Sequence, residues 1–223
     1  MRKIILSTLV VTTLLLGNNL QKEGVQVTYT DSNDDEKTVL IKREKNEKCS
    51  NVKFSAKAIL GGNYASPDVP KECKKTFVTS YGTISPMKFA PKVDTYGELE
   101  VLQFINDAKT NENMLLVDSR TENWYLQKTI ASAVNVPFIY LSKSQYPEEF
   151  AESLETLGVK QTKEGFDFSQ AKELLLFCNG AWCGQSPISM EKLIEIGYPQ
   201  EKLNWYRGGI QSWLSLNLPT IEP

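Results

Sequence analysis

The side chains of this chain best suited to covalent chemistry are two cysteines in an uncharged loop. Cys178 directly follows the apolar run at residues 174–177, and Cys183 lies five residues further along. A short bounded apolar run is typical of a buried strand, and Ser186 followed by Pro187 is typical of an N-cap and the first residue of a helix. Amides and a helix N-terminus both favour negative charge, so they promote ionisation of a nearby thiol. The pattern predicts a cysteine nucleophile.

The loop that joins this strand to this helix is expected to hold the substrate. No Lys or Arg occurs between Cys178 and Lys192, so dipoles alone must lower the pKa of the thiol. Each pKa unit corresponds to about 1.4 kcal/mol, and a partly buried helix terminus supplies up to about 2 kcal/mol. The predicted binding residues of the loop are Asn179, Gly180, Ala181, Trp182, Gly184, Gln185 and Ser186.

The two cysteines leave alternatives open. The strand-end position favours Cys178 as the nucleophile, while Cys183 is either a resolving thiol or the nucleophile itself. A disulfide between them requires Cα atoms about 4.4–6.8 Å apart. Such a bond would protect Cys178 from overoxidation. Trp182 is either a lid over the sulfur or a packing residue for the N-terminal region.

Composition excludes several classes of function. The 223 residues are 41% hydrophobic and 23% charged, as in soluble globular proteins. A net charge of −2 gives no basic surface for nucleic acid. The chain contains no histidine, which excludes an imidazole base or ligand. We expect neither a metal site nor a cofactor.

The first residues are typical of an export signal. Residues 1–17 combine Arg2 and Lys3 with a short apolar core, the pattern of a signal peptide. The core is too short for a comfortable membrane span. The A-x-A cleavage pattern is absent, so cleavage and retention as an anchor both stay open. The sequence predicts a periplasmic or otherwise exported protein that contacts membrane only if the signal is retained.

Residues 18–93 are expected to form a small β-rich region and a linker. The stretch around Pro86 and Pro91 is predicted to be the linker and to lie over the following domain. In an oxidising compartment Cys49 and Cys73 can form a disulfide, although their spacing is equally compatible with free thiols. Alternating apolar residues predict strands at residues 25–29, 38–41, 54–60 and 77–84.

Residues 94–223 are expected to form the main domain. Strand patterns alternate with helix patterns, which is typical of a parallel α/β sheet. Such sheets bind ligands at the carboxyl ends of their strands, where Asp118 and Cys178 both lie. A capping-box pattern at residues 95–98 predicts the first helix. Its apolar face is expected to contain Leu99, Val101, Leu102, Ile105 and Ala108.

Three motifs in this order resemble the rhodanese domain over about residues 96–219. They are Val117-Asp118-Ser119-Arg120 with Ala133-Val134-Asn135-Val136-Pro137, the segment 177–186, and Tyr206-Arg207-Gly208-Gly209-Ile210-Gln211-Ser212-Trp213 with Leu218-Pro219. The resemblance implies a parallel sheet flanked by helices and sulfur transfer through a persulfide on Cys178. It also implies a small sulfur donor (polysulfide, persulfide or thiosulfate), a thiol acceptor, and Asp118 and Arg120 as supporting residues.

Departures from the family pattern reduce the number of substrates and activities that the sequence supports. Lys128 and Thr129 replace the family's Gly-His, and Gln185 replaces a loop arginine, which disfavours thiosulfate. A phosphatase of this fold requires Cys-x5-Arg, and Gly184 occupies that arginine position. Two alternatives remain beside sulfur transfer. One is a thiol–disulfide oxidoreductase that uses Cys178 and Cys183, and the other is a rhodanese-like binding module without catalysis.

Overall fold

The computed structural model describes residues 25–30, 35–41, 47–49, 56, 60, 70, 82–215, 218 and 220–223. The predicted strands at residues 25–29 and 38–41 are present as β1 (Val25–Thr30) and β2 (Glu36–Ile41), and the two pair antiparallel. The predicted strand at residues 54–60 is wrong, because Ala56 and Leu60 are helical. The predicted strand at residues 77–84 is wrong at residues 82–84, which are not in a strand. The signal segment 1–17 and Cys73, and therefore the disulfide with Cys49, lie outside the described residues.

The main domain is built on a parallel sheet of five strands. From one edge to the other the strands lie at residues 94–95, 203–206, 173–177, 114–118 and 134–135, and every neighbouring pair is parallel. This arrangement confirms the predicted α/β class, whereas the boundaries at 18–93 and 94–223 stay predictions. The strands are β3 (Asp94–Thr95), β4 (Met114–Asp118), β5 (Val134–Asn135), β8 (Glu173–Phe177) and β9 (Leu203–Tyr206), with a separate hairpin of β6 (Lys160–Thr162) and β7 (Gly165–Asp167).

Helices connect the strands and cover the sheet. None of the helices in the described part of the chain is long and apolar enough to cross a membrane. The helices are α1 (Glu98–Ala108), α2 (Glu122–Gln127), α3 (Pro147–Thr156), α4 (Gln185–Glu195) and α5 (Gly209–Ser215), with a 3-10 turn at Gln200–Lys202.

Strand β8 is the centre of the core because it is buried on both faces. Leu174 and Leu176 pack into one apolar cluster, with residues of α3 and α4. Leu175 and Phe177 pack into the other cluster, with residues of α1 and α5. This alternation follows from the pleat of a strand, in which successive side chains point to opposite faces. Two covered faces explain the uninterrupted apolar run in the sequence.

Helix α1 differs from its prediction in both its cap and its buried face. The Glu100 carboxylate accepts a hydrogen bond from the Gly97 amide at 3.0 Å, so the cap lies two residues beyond the predicted one. Val101 and Phe104 are buried, whereas Leu99 is 77% exposed and Leu102 is 42% exposed. The predicted face mixed two stripes of the helix. Val101 and Phe104 pack into the buried cluster on this side of the sheet, and Ile105 is half-buried against the same cluster.

Candidate active site

The carboxyl end of β8 places Cys178 inside the protein. Cys178 is 2% exposed and Cys183 is 5% exposed, and both are free thiols. The Cys178 thiol donates to the carbonyl oxygen of Cys183 at 3.4 Å, so the loop curls back over the strand end. The structure therefore brings both predicted reactive residues into one buried site.

Backbone contacts to α5 hold this active-site loop, residues 178–186. Ile210 and Gln211 donate their amides to the carbonyl oxygens of Cys178 and Asn179, both at 3.0 Å. Within the loop, the Cys183 amide donates to the Gly180 oxygen at 2.9 Å. The turn from β9 into α5 thus fixes the backbone that carries the nucleophile.

Replacing Gly209 by alanine is expected to destabilise the domain. Gly209 has a φ of +57°, and a Cβ there would overlap the carbonyl oxygen of Cys178. The left-handed backbone alone costs an L-residue about 1–2 kcal/mol, and the overlap adds to this. Urea unfolding measures the loss. Gly184→Ala is the control, since its nearest neighbour is 3.9 Å away, and we expect a cost of only ~0.5 kcal/mol there.

The loop lowers the pKa of the Cys178 thiol to about 7. Burial by itself raises this pKa, but hydrogen bonds to the thiolate outweigh it. They come from the Cys183 thiol, from the amide and hydroxyl of Ser186 and from the Gly180 amide. Donors that bind the charged form favour ionisation. A substantial fraction of Cys178 is therefore thiolate near neutral pH.

The pKa of Cys183 shifts in the opposite direction. Its hydrogen bond to Cys178, together with burial, raises the pKa of Cys183 well above the usual range. The Asn179 side-chain amide lies 4.0 Å from the Cys183 sulfur and directs a donor at it. Cys183 thus stays a protonated donor while Cys178 carries the charge. This difference favours Cys178 as the nucleophile.

The start of α4 differs from the sequence prediction in a way that affects the loop. The helix begins at Gln185 with Gly184 as N-cap, so Ser186 is not the cap residue. Ser186 instead lies in the first turn and is completely buried. Its hydroxyl makes no hydrogen bond within the described residues while Cys178 is a thiol. Ionisation of Cys178 supplies an acceptor for that hydroxyl, which adds to the stabilisation of the thiolate.

The predicted supporting pair, Asp118 and Arg120, is a fully buried ion pair beside the loop. Arg120 Nη2 lies 2.6 Å from Asp118 Oδ2, and Nε donates to Oδ1 at 2.9 Å. Arg120 Nη1 reaches the side-chain oxygen of Asn179 at 3.4 Å. Thr129 donates its hydroxyl to Asp118 at 2.8 Å. Because the charge of Arg120 is neutralised by Asp118, it supplies no free cation to the active-site loop.

Three residues that the sequence analysis gave no role also contact the loop or its surroundings. Gln211 accepts a hydrogen bond from the Trp182 indole at 2.7 Å. Ser85 donates its amide to the Ala181 oxygen at 2.9 Å, and Arg207 donates to the Ser85 oxygen. Only Gln211 and Arg207 had a signal, because both lie in the third motif of the family resemblance, residues 206–213. Nothing in the sequence pattern distinguishes Ser85.

Comparisons with known proteins found similar solved structures at low sequence identity. Three similar solved structures are the BH2092 protein from Bacillus halodurans, a rhodanese with anions from E. coli and an As-Sb reductase from Leishmania major, each 18% identical. Their TM-scores are 0.40, 0.31 and 0.38. The aligned regions cover 58%, 49% and 55% of this chain and 77%, 99% and 78% of those chains. A search of curated proteins gave no match.

The family is established by sequence. The family model for the Rhodanese-like domain matches residues 100–216, just over half of the chain. The matched segment contains β4, β8 and β9 together with Asp118, Cys178 and the turn at Gly209. This protein therefore belongs to the rhodanese-like domain family.

Proposed function

We propose that this protein transfers sulfur through a persulfide on Cys178. The observation that carries the proposal is a buried thiol whose pKa is lowered to about 7 by the loop that encloses it. A thiolate is the nucleophilic form of cysteine, and such a site generates it without a histidine base. Membership of the rhodanese-like family supports the same chemistry.

The reaction proceeds in two displacements at sulfur. The Cys178 thiolate attacks the terminal sulfane sulfur of the donor, and a new S–S bond forms as the bond to the rest of the donor breaks. The remainder leaves with that electron pair. A thiolate acceptor then attacks the outer sulfur of the persulfide, and Cys178 departs as thiolate. The covalent intermediate divides one transfer into two easier steps. The amides of Gly180 and Ser186 stabilise the Cys178 thiolate before the first displacement and after the second.

The charge of the site favours polysulfide or organic persulfide over thiosulfate as the donor. No Lys or Arg occurs between Cys178 and Lys192, and the guanidinium of Arg207 is engaged by the Ser85 carbonyl rather than by a residue of the loop. Arg120 is neutralised by Asp118. Backbone dipoles of the loop can bind a sulfur donor that has one negative charge or none more easily than they can bind the thiosulfate dianion.

The pairing of two buried thiols supports a second function, thiol–disulfide exchange. In that reaction the Cys178 thiolate attacks a substrate disulfide and releases one thiol. Cys183 then attacks the mixed disulfide and releases the second, so the substrate is reduced as Cys178 and Cys183 are oxidised. The hydrogen bond between the two thiols supports this alternative. A binding module without catalysis is the third candidate.

Intact mass after exposure to polysulfide, with and without reductant, separates these functions. Sulfur transfer predicts a reductant-sensitive gain of one sulfur atom, which fragmentation places on Cys178. Exchange chemistry predicts instead that the polysulfide oxidises the two thiols to a disulfide, a loss of two hydrogen atoms from the protein that requires both cysteines. If neither change occurs in the folded protein, the binding module is the surviving proposal.

Export is a separate proposal, supported by the charged and apolar pattern of residues 1–17. Fractionation of bacterial cells that express the full chain tests it. The expected result is protein in the periplasmic or extracellular fraction, with a mass that also tells whether the signal was removed. Full-length protein confined to the cytosol would overturn the proposal.

A further inference from the structure

A short segment outside the matched family region lies on the active-site loop. We call residues 82–85 the strap. The Ser85 amide donates to the Ala181 carbonyl at 2.9 Å, midway between the two cysteines. Gly82 has a φ of +77° and approaches Trp182 so closely that a Cβ would overlap its carbonyl oxygen. Both contacts are made to the two loop residues that precede Cys183.

Arg207 holds the strap from the other side. In the sheet register Phe177 is paired with Tyr206, so Cys178 and Arg207 are the next residues of two neighbouring strands. The guanidinium Nε and Nη2 of Arg207 donate to the Ser85 carbonyl at 3.0 and 2.8 Å. One residue, Ser85, therefore binds Arg207 through its oxygen and the loop through its amide.

We propose that Arg207 is a positioning residue for Cys178, which acts through the strap to hold the active-site loop closed over the thiol. The strap must lift before a sulfur donor reaches Cys178. This inference rests on the proposed function only in taking Cys178 as the reacting group.

The surroundings of the thiols agree with a closed site. Cys178 and Cys183 are 2% and 5% exposed, too little for a bulky donor to approach. Cavities of about 440 and 390 Å³ occur on the described surface, and neither is lined by a cysteine. The strap contacts Ala181 and Trp182, which connect Gly180 to Cys183, and both flanking residues donate to the Cys178 thiolate. Loosening the strap should therefore expose Cys178 and weaken the donors that stabilise its charge.

The test follows alkylation of Cys178 by iodoacetamide in the reduced full chain between about pH 5 and 10, with peptide mass as the readout. Arg207→Gln removes the guanidinium, and Gly82→Ala forces the strap from Trp182 without a change of charge. In both variants we expect the plateau rate at high pH to rise about tenfold or more, as local opening becomes easier. The inflection of the profile should move upward from about 7. A merely structural role would not move that inflection.

Matched controls separate the strap from general destabilisation. Gly165→Ala introduces a side chain at φ +142° with no atom within 4 Å, and Lys109→Gln removes an exposed cation at the end of α1. Both should keep the profile of the unmodified chain. Arg207→Lys retains the charge and should restore part of the closure.

Three results would overturn the proposal. The first is that the alkylation rate of Cys178 keeps its pH profile in Arg207→Gln and in Gly82→Ala, or in the one of them that folds. The second is a shift of the inflection in Gly165→Ala that equals the shift in the strap variants. The third is misfolding of both strap variants, because the contacts would then be required for the fold itself. Alkylation needs no sulfur donor, so the result is independent of whether the mass experiment detects a persulfide.

Discussion

The Cys178→Ser variant is expected to lose at least about a thousandfold of the sulfur-transfer rate, the scale on which losing a covalent nucleophile acts. A serine hydroxyl stays protonated at neutral pH and cannot form a persulfide. The measurement is the hydrogen sulfide released when a dithiol acceptor takes sulfur from a polysulfide-loaded protein. Near-normal turnover by Cys178→Ser would move the nucleophile to another residue.

Two variants of Cys183 define its part in the same reaction. Cys183→Ser keeps a hydroxyl donor toward the Cys178 thiolate and should retain most of the transfer. Cys183→Ala removes the donor, which raises the pKa of Cys178, because the Cys183 hydrogen bond is among the contacts that lower it. Well below that pKa, each unit of increase reduces the thiolate fraction about tenfold. Turnover of the Ala variant at neutral pH should fall and recover as the pH rises. Complete loss of sulfur transfer in Cys183→Ser would show instead that Cys183 reacts directly.

The Asp118→Asn variant is expected to lose about 3–5 kcal/mol of unfolding free energy, the usual cost of breaking a buried ion pair. Asp118 and Arg120 are both 0% exposed, and the Asp118 carboxylate accepts hydrogen bonds from Arg120 and Thr129. The substitution leaves the guanidinium of Arg120 buried without a counter-ion. Urea unfolding at neutral pH, followed by circular dichroism, measures the loss.

An exposed ion pair of this chain provides the control. Lys92 and Glu201 lie 3.8 Å apart, with side chains 69% and 65% exposed. Glu201→Gln makes the same carboxylate-to-amide change and should cost less than about 1 kcal/mol, because water screens such pairs. The double variant Asp118→Leu with Arg120→Met should be more stable than Asp118→Asn alone, since no buried charge is left unpaired. Equal losses at Asp118 and Glu201 would contradict this account of the site.

Local pattern was sufficient for much of the fold and for the position of the reactive thiol. The apolar run of β8 is continuous because this strand is buried on two faces, and such a run is visible in the sequence without knowledge of its neighbours. The position of Cys178 at the site was predicted because it directly follows the apolar run 174–177, and because parallel sheets bind ligands at the carboxyl ends of their strands. The helix boundaries were less accurate, because Ser186 carries the same capping signal whether it lies before α4 or in its first turn.

Tertiary structure alone decided how the site is held. The sequence favours Cys178 by its strand-end position alone, whereas the folded loop adds donors from Cys183, Ser186 and Gly180 that lower the pKa of Cys178 while the pKa of Cys183 is raised. Arg207 and Ser85 are 122 residues apart, and their contact involves a backbone carbonyl, which every residue carries. Contacts of that kind leave no trace in residue type or spacing. The strap and its hold on the active-site loop therefore became visible only when the chain was folded.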